Sequence, residues 1–129
     1  MSANTSNKNA LLAGRILSTL VSLMLIGSGA AKISHQAAMV PDFVEKFGYP
    51  ETLLTPIGVV EILCVLLYAI PRTNVLGAIL LTGYLGGAVA THVRIGDVFV
   101  PPLMIGVLVW LGLFLRDPAL RTLLPWRKN

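Results

Sequence analysis

The chain has 129 residues, 55% of them apolar and 12% charged, against roughly 25% charged in soluble domains, so water is not expected to be its main solvent. A net charge of +4 raises nucleic acid as a partner, but the ten Lys and Arg flank apolar runs instead of lining one basic face, and neither DNA nor RNA is expected. The single cysteine, Cys64, lies inside an apolar run and excludes an intrachain disulfide, a Cys-x-x-Cys couple and a multi-cysteine metal site. Redox chemistry would have to borrow a cofactor or a partner.

Met1 to Asn9 is polar and expected to fray. The first apolar run follows at 10–33, broken only by Arg15 and by small or hydroxyl residues. Lys8 and Arg15 before an apolar run, with Ser28-Gly29-Ala30 as a small-x-small triplet, also fit a cleaved signal peptide. Three further apolar segments and a role for Lys32 favour a retained span. The connection contains Pro41-Asp42-Phe43-Val44-Glu45-Lys46-Phe47-Gly48, with Pro at a helix start, Gly at its end and two Phe four apart. It reads as a short interfacial helix.

The second span is expected at 51–70, with Pro50 and Pro56 at its opening and Pro71 stopping it. The third runs over 74–94 and the fourth over 99–115, with Pro101 and Pro102 suited to its first turn. Each approaches the about 20 residues that cross about 30 Å of hydrocarbon. Beyond the fourth, Asp117-Pro118 opens an amphipathic stretch, with Leu120, Leu123 and Leu124 toward lipid, Arg121, Arg127 and Lys128 toward anionic headgroups, and Trp126 as an interfacial anchor. The apolar runs do not alternate, so a β-barrel is not expected. The fold class that follows is all-α: a single-domain integral membrane four-helix bundle with short interfacial helices.

Four spans put both termini on one side, which carries Lys8, Arg15, Arg72, Arg116, Arg121, Arg127 and Lys128, against Lys32, Lys46 and Arg94 on the other. The positive-inside rule places the termini in the cytoplasm of a multi-pass inner-membrane protein.

On that topology Lys32, Glu61, His92 and Arg94 all fall toward the outer leaflet. Glu61 lies about 15 Å along its helix at 1.5 Å per residue, where a lone carboxylate is costly and needs a cation, a proton or a cavity. Lys32, Arg94 and His92 are its candidate partners. Three roles stay open for the four: an ion-pair cluster fixing helix order, a ligand or proton-coupled pocket, or unrelated residues reaching the interface. Gly58, Glu61, Val65 and Tyr68 share one helical face, with Gly29 and Gly58 each one turn before a charge. In the third span, Gly83-x-x-x-Gly87 and Gly86-x-x-x-Ala90 form a small-residue surface that reads as tight helix packing. His35 and His92 lack the close spacing of a metal motif, and no metal is expected. Hydrolase, phosphate-loop and zinc-protease motifs are absent.

The sequence resembles the DoxX-like membrane proteins of bacteria. The resemblance rests on Gly29-x-x-Lys32, the Phe47-Gly48-Tyr49-Pro50 turn, Gly58-x-x-Glu61, and the run from Gly83 through His92-Val93-Arg94, and it extends from Arg15 to Leu115. It implies a four-helix inner-membrane protein, with relatives linked to sulfur-compound oxidation with a quinone acceptor or to membrane redox and thiol-stress assemblies. The expected role is an accessory or scaffold subunit of such an assembly, with no intrinsic cofactor and a quinone as the candidate ligand. The alternatives are a quinone-linked oxidoreductase subunit, with Glu61 and His92 exchanging protons while Lys32 or Arg94 holds a substrate anion, and a small carrier that would act as a homo-oligomer. Whether the chain is itself an enzyme stays open.

Overall fold

The computed structural model describes residues 2–127; Met1, Lys128 and Asn129, and with them the expected headgroup role of Lys128, lie outside the described residues. Four long helices form: α1 (Ser2–Ile33), α2 (Leu54–Ala69), α3 (Asn74–Arg94) and α4 (Val100–Arg116). Short connections reverse the chain after α2 and α3, and each helix packs against two neighbours in the cyclic order α1, α2, α3, α4. The first three are long and apolar enough to cross a membrane, and α4 is a shorter apolar helix of 17 residues. The protein is a multi-pass membrane helical bundle.

The distribution of apolar side chains fits lipid as solvent. Leu12, Ile16, Leu20 and Leu23 form one exposed stripe along α1 at helical spacing. The interior holds Val21, Leu25, Val65, Tyr68, Leu81, Val109 and Leu113 together with the buried hydroxyls of Ser18 and Ser22. Tyr68 has two hydrogen bonds: its hydroxyl donates to Val109 O at 2.7 Å and lies 3.0 Å from Ser18 Oγ. Polar groups without water must be satisfied within the protein, and Tyr68 does this while joining three helices.

Proline sets the helix limits. Pro50 precedes a 3-10 turn (Glu51–Leu53) that leads into α2, and α4 carries Pro101 and Pro102 in its first turn, where no intrahelical N–H is lost. The N-terminal segment departs from expectation: residues 2–9 continue α1 as helix instead of fraying. Asn7 explains part of this, since its Oδ1 accepts from Arg121 Nη1 at 3.1 Å.

The tail after α4 differs as well. Leu120, expected toward lipid, is buried in the core, and Arg121, expected at headgroups, turns back onto α4. Its Nε donates to Phe114 O at 2.9 Å and its Nη2 to Leu115 O, capping carbonyls that the end of a helix leaves unsatisfied. Leu123, Leu124 and Trp126 remain exposed.

Close helix approach rests on Gly29 and Gly58, the glycines one turn before each charge, and on Gly77, which the sequence did not single out. A Cβ on Gly58 would lie 2.6 Å from Gly29 O, and one on Gly77 would lie 2.1 Å from Tyr68 N, so both contacts exclude any side chain. Gly83, Gly86 and Gly87 instead have nothing within 4 Å of a Cβ, and Ala90 is exposed. Among the described residues, these three glycines of α3 therefore make no close helix contact. Small-residue spacing makes a helix face flat but does not determine what lies opposite.

Candidate functional site

The Gly29–Gly58 contact brings α1 and α2 together one turn before Lys32 and Glu61, and the two charges meet there. Lys32 Nζ lies 2.8 Å from Glu61 Oε2 and donates to Ser28 Oγ at 2.7 Å, while Ser28 Oγ is 3.4 Å from the same carboxylate oxygen. Glu61 is 2% exposed and Lys32 13%. Of the three candidate cations it is Lys32 that balances the buried carboxylate. The phenol of Tyr84, on α3, stands against Glu61 as well.

An ammonium has three N–H donors, and Ser28 and Glu61 take two of those of Lys32. Lys32 also lines a cavity of about 400 Å³ at this end of the bundle. Phe43, Phe47, Tyr49 and Tyr84 supply aromatic surface to it, and His92 and Ser28 supply polar atoms. Gly87, from the small-residue face of α3, lines it too.

The 34–50 connection forms the outer wall of the cavity. The short helix expected here is a five-residue π-type turn, Asp42–Lys46, whose Phe43 is buried and lies 5.1 Å from the Tyr49 ring. Phe47 packs on the His92 ring at 5.0 Å, Tyr49 Oη meets Thr91 Oγ1 at 2.7 Å, and Arg94 Nη2 donates to Phe47 O. These contacts fasten the connection to the end of α3.

His92 and Arg94 therefore do not join Lys32 and Glu61 in one ion cluster. His92 Nδ1 is 2.7 Å from Ala88 O; a carbonyl can only accept, so Nδ1 carries the proton, and in the neutral ring Nε2 is an acceptor. Arg94 turns outward, its guanidinium 5.9 Å from the Tyr49 ring centre. His35 bonds Glu51 and Thr55 rather than sharing the cavity with His92. Ser28 and Tyr84 are the site residues that sequence reasoning missed as partners of the pair. Ser28 had a legible signal, four residues before Lys32 on the same face, whereas Tyr84 reaches Glu61 only through the packing of α3 on α2.

Lys46 and Asp97 form an exposed ion pair at 2.8 Å between the connection and the α3–α4 loop. The hydrogen bond from Lys46, with lesser help from the Val98 N–H, holds the Asp97 carboxyl below its ordinary value of 3.8, and the bond to Asp97 holds Lys46 above 10.5. Asp97 thus adds stability above its ordinary value that is lost as pH falls through the lowered one; Lys46 adds stability below 10.5 that is lost as pH rises through the raised one. The pair's small contribution is expected to be flat between these limits and to shrink in salt. Asp97→Asn should remove the acid-side part of it, as read from melting temperature against pH.

No curated protein and no solved structure matches the chain. The sequence model of the DoxX-like family matches residues 16–113, a stretch that includes all four helices in whole or large part, the Lys32–Glu61 pair and the cavity. The chain belongs to the DoxX-like family.

Proposed function

We propose that the cavity beside the Lys32–Glu61 pair receives the head group of a lipophilic molecule, and that the protein is an accessory membrane subunit holding that molecule for a redox or stress-response partner. The observation that carries this reading is the remaining N–H donor of Lys32 at the wall of an aromatic-lined space of about 400 Å³, a size within the roughly 300–1,000 Å³ of small-molecule sites.

A quinone fits this donor set. Its flat ring matches the aromatic surfaces, one of its oxygens can accept from Lys32 on α1, and the hydroxyl of its reduced form can donate to the acceptor Nε2 of His92 on α3. Lys32 would hold the quinone and His92 Nε2 its reduced, hydroxyl-bearing form, and when bound the group supplies reversible two-electron, two-proton chemistry. The electrons would be exchanged with a partner, since the chain brings one buried cysteine and no Cys-x-x-Cys couple of its own.

Gly87→Leu is the variant that tests this. It adds bulk to the cavity at a position with open space, so the bundle is expected to fold as before. A short-chain benzoquinone or naphthoquinone should raise the melting temperature of the unaltered protein in detergent and leave Gly87→Leu unmoved. Equal shifts in both would place binding elsewhere.

The reading includes orientation in the cytoplasmic membrane. If all four helices cross, seven Lys and Arg on the terminal side against three on the other favour both termini in the cytoplasm and the cavity at the outer leaflet. A C-terminal fluorescent-protein fusion should then fluoresce and a C-terminal alkaline phosphatase fusion should be inactive; the reverse pattern would invert the topology.

A further inference from the structure

We infer a second binding site, at the opposite end of the bundle, for one phosphate group of an anionic phospholipid or of free phosphate. Here Ala69 ends α2, Arg116 ends α4, and α1 runs past both. α1 and α4 are close enough at this level that a Cβ on Gly14 would lie 2.6 Å from Arg116 N, which sets Arg15 and Arg116 side by side. Between them is a groove of about 210 Å³, lined by the two arginines, the hydroxyl residues Ser18, Thr19 and Ser22, and the apolar Leu23 and Ala69.

Three observations mark it as a site. Among the described residues no carboxylate lines the groove, so the two arginines that line it share it without a counter-ion. Arg116 spends one nitrogen on Tyr68 O and stacks over the Tyr68 ring at 4.6 Å, yet its Nε is buried and has no hydrogen-bond partner among the described residues. The exposed guanidinium of Arg15 likewise has no hydrogen bond or ion pair among the described residues, and Ser22 adds a hydroxyl to the groove. A buried unpaired N–H on a cation is costly, and a phosphate offers several acceptor oxygens in the fork geometry that guanidinium matches.

The surroundings favour a lipid as the source. Leu23 at the groove and Leu20 at the same level of α1 are about 60% exposed and belong to the lipid-facing stripe of α1, where acyl chains would lie. A zwitterionic headgroup would bring a further cation toward two arginines, so the site should select a net-negative headgroup such as phosphatidylglycerol over phosphatidylcholine.

Native mass spectrometry of the full chain in an uncharged detergent tests this, with phosphatidylglycerol, phosphatidylcholine or sodium phosphate added separately. Phosphatidylglycerol should be retained about fivefold or more over phosphatidylcholine, and Arg15→Gln should remove the preference. Arg15 is exposed, so that variant should keep its lipid-free melting temperature, which separates lost binding from lost folding. An Arg15-dependent rise in melting temperature with sodium phosphate, without headgroup preference, would support the site and assign it to the free ion. Equal retention of both lipids with no phosphate response, or a preference unchanged in Arg15→Gln, would overturn it.

Discussion

Replacing Lys32 by methionine is expected to destabilise the folded bundle by about 3–5 kcal/mol, the range for removing one partner of a buried ion pair. The reason is what stays behind. Glu61 is 2% exposed and loses its 2.8 Å contact, leaving a carboxylate with Ser28 at 3.4 Å and the Tyr84 phenol in a setting where water cannot reach it. Lys32→Met combined with Glu61→Leu removes both charges and should recover most of the loss, because replacing a buried pair with apolar residues is often near neutral. Unfolding in mixed detergent micelles reads the difference. If Lys32→Met unfolds as the unaltered protein does, the pair does not hold α1 to α2. Glu61→Gln should cost less, since the amide can still accept from Lys32.

The second large effect lies at Gly77. A Cβ there would meet Tyr68 N at 2.1 Å and Tyr68 Cα at 2.4 Å, and backbone cannot swing aside as a flexible side chain can. Gly77→Ala must separate the end of α2 from the start of α3, disturbing the Tyr68 bonds to Ser18 and Val109, and should cost at least about 3 kcal/mol, the upper end of overpacking penalties. Gly83→Ala supplies the contrast: with nothing within 4 Å it should be neutral or stabilise by up to about 0.8 kcal/mol through helix propensity. Thermal melts of the two variants should move in clearly different degrees. A costly Gly83→Ala would mean that the open face of α3 is covered by something other than this chain.

The two glycine groups show where the sequence could be read and where it could not. Span positions were legible because run length and proline act locally: Pro71 and the Pro101-Pro102 pair bound α2 and α4 whatever the helices touch. The buried face of α2 was legible for the same reason, and Gly58, Glu61, Val65 and Tyr68 are all buried. Which glycine meets which helix depends on axial register between helices, which no single helix encodes. Gly77, outside any repeated small-residue pattern, makes the tightest approach, while Gly83-x-x-x-Gly87 makes none.

The site divides along the same line. Glu61 needed a cation and Lys32 was one of three candidates; the Gly29–Gly58 contact, a tertiary fact, selects it. His92 was legible as an outer-end residue, but its place across a cavity from Lys32 follows from how the 34–50 connection folds over the bundle. That fold depends on Tyr49–Thr91, Arg94–Phe47 and Lys46–Asp97, pairs too distant in sequence for periodicity to suggest.

The most direct measurement is native mass spectrometry of the protein extracted gently from its own membrane, with an absorption spectrum of the same sample. One bound lipophilic molecule per chain is expected, with the mass and redox-dependent absorbance of a quinone, and none in Gly87→Leu prepared alongside. A chain with no such bound molecule, or one whose bound quinone persists in Gly87→Leu, would contradict it.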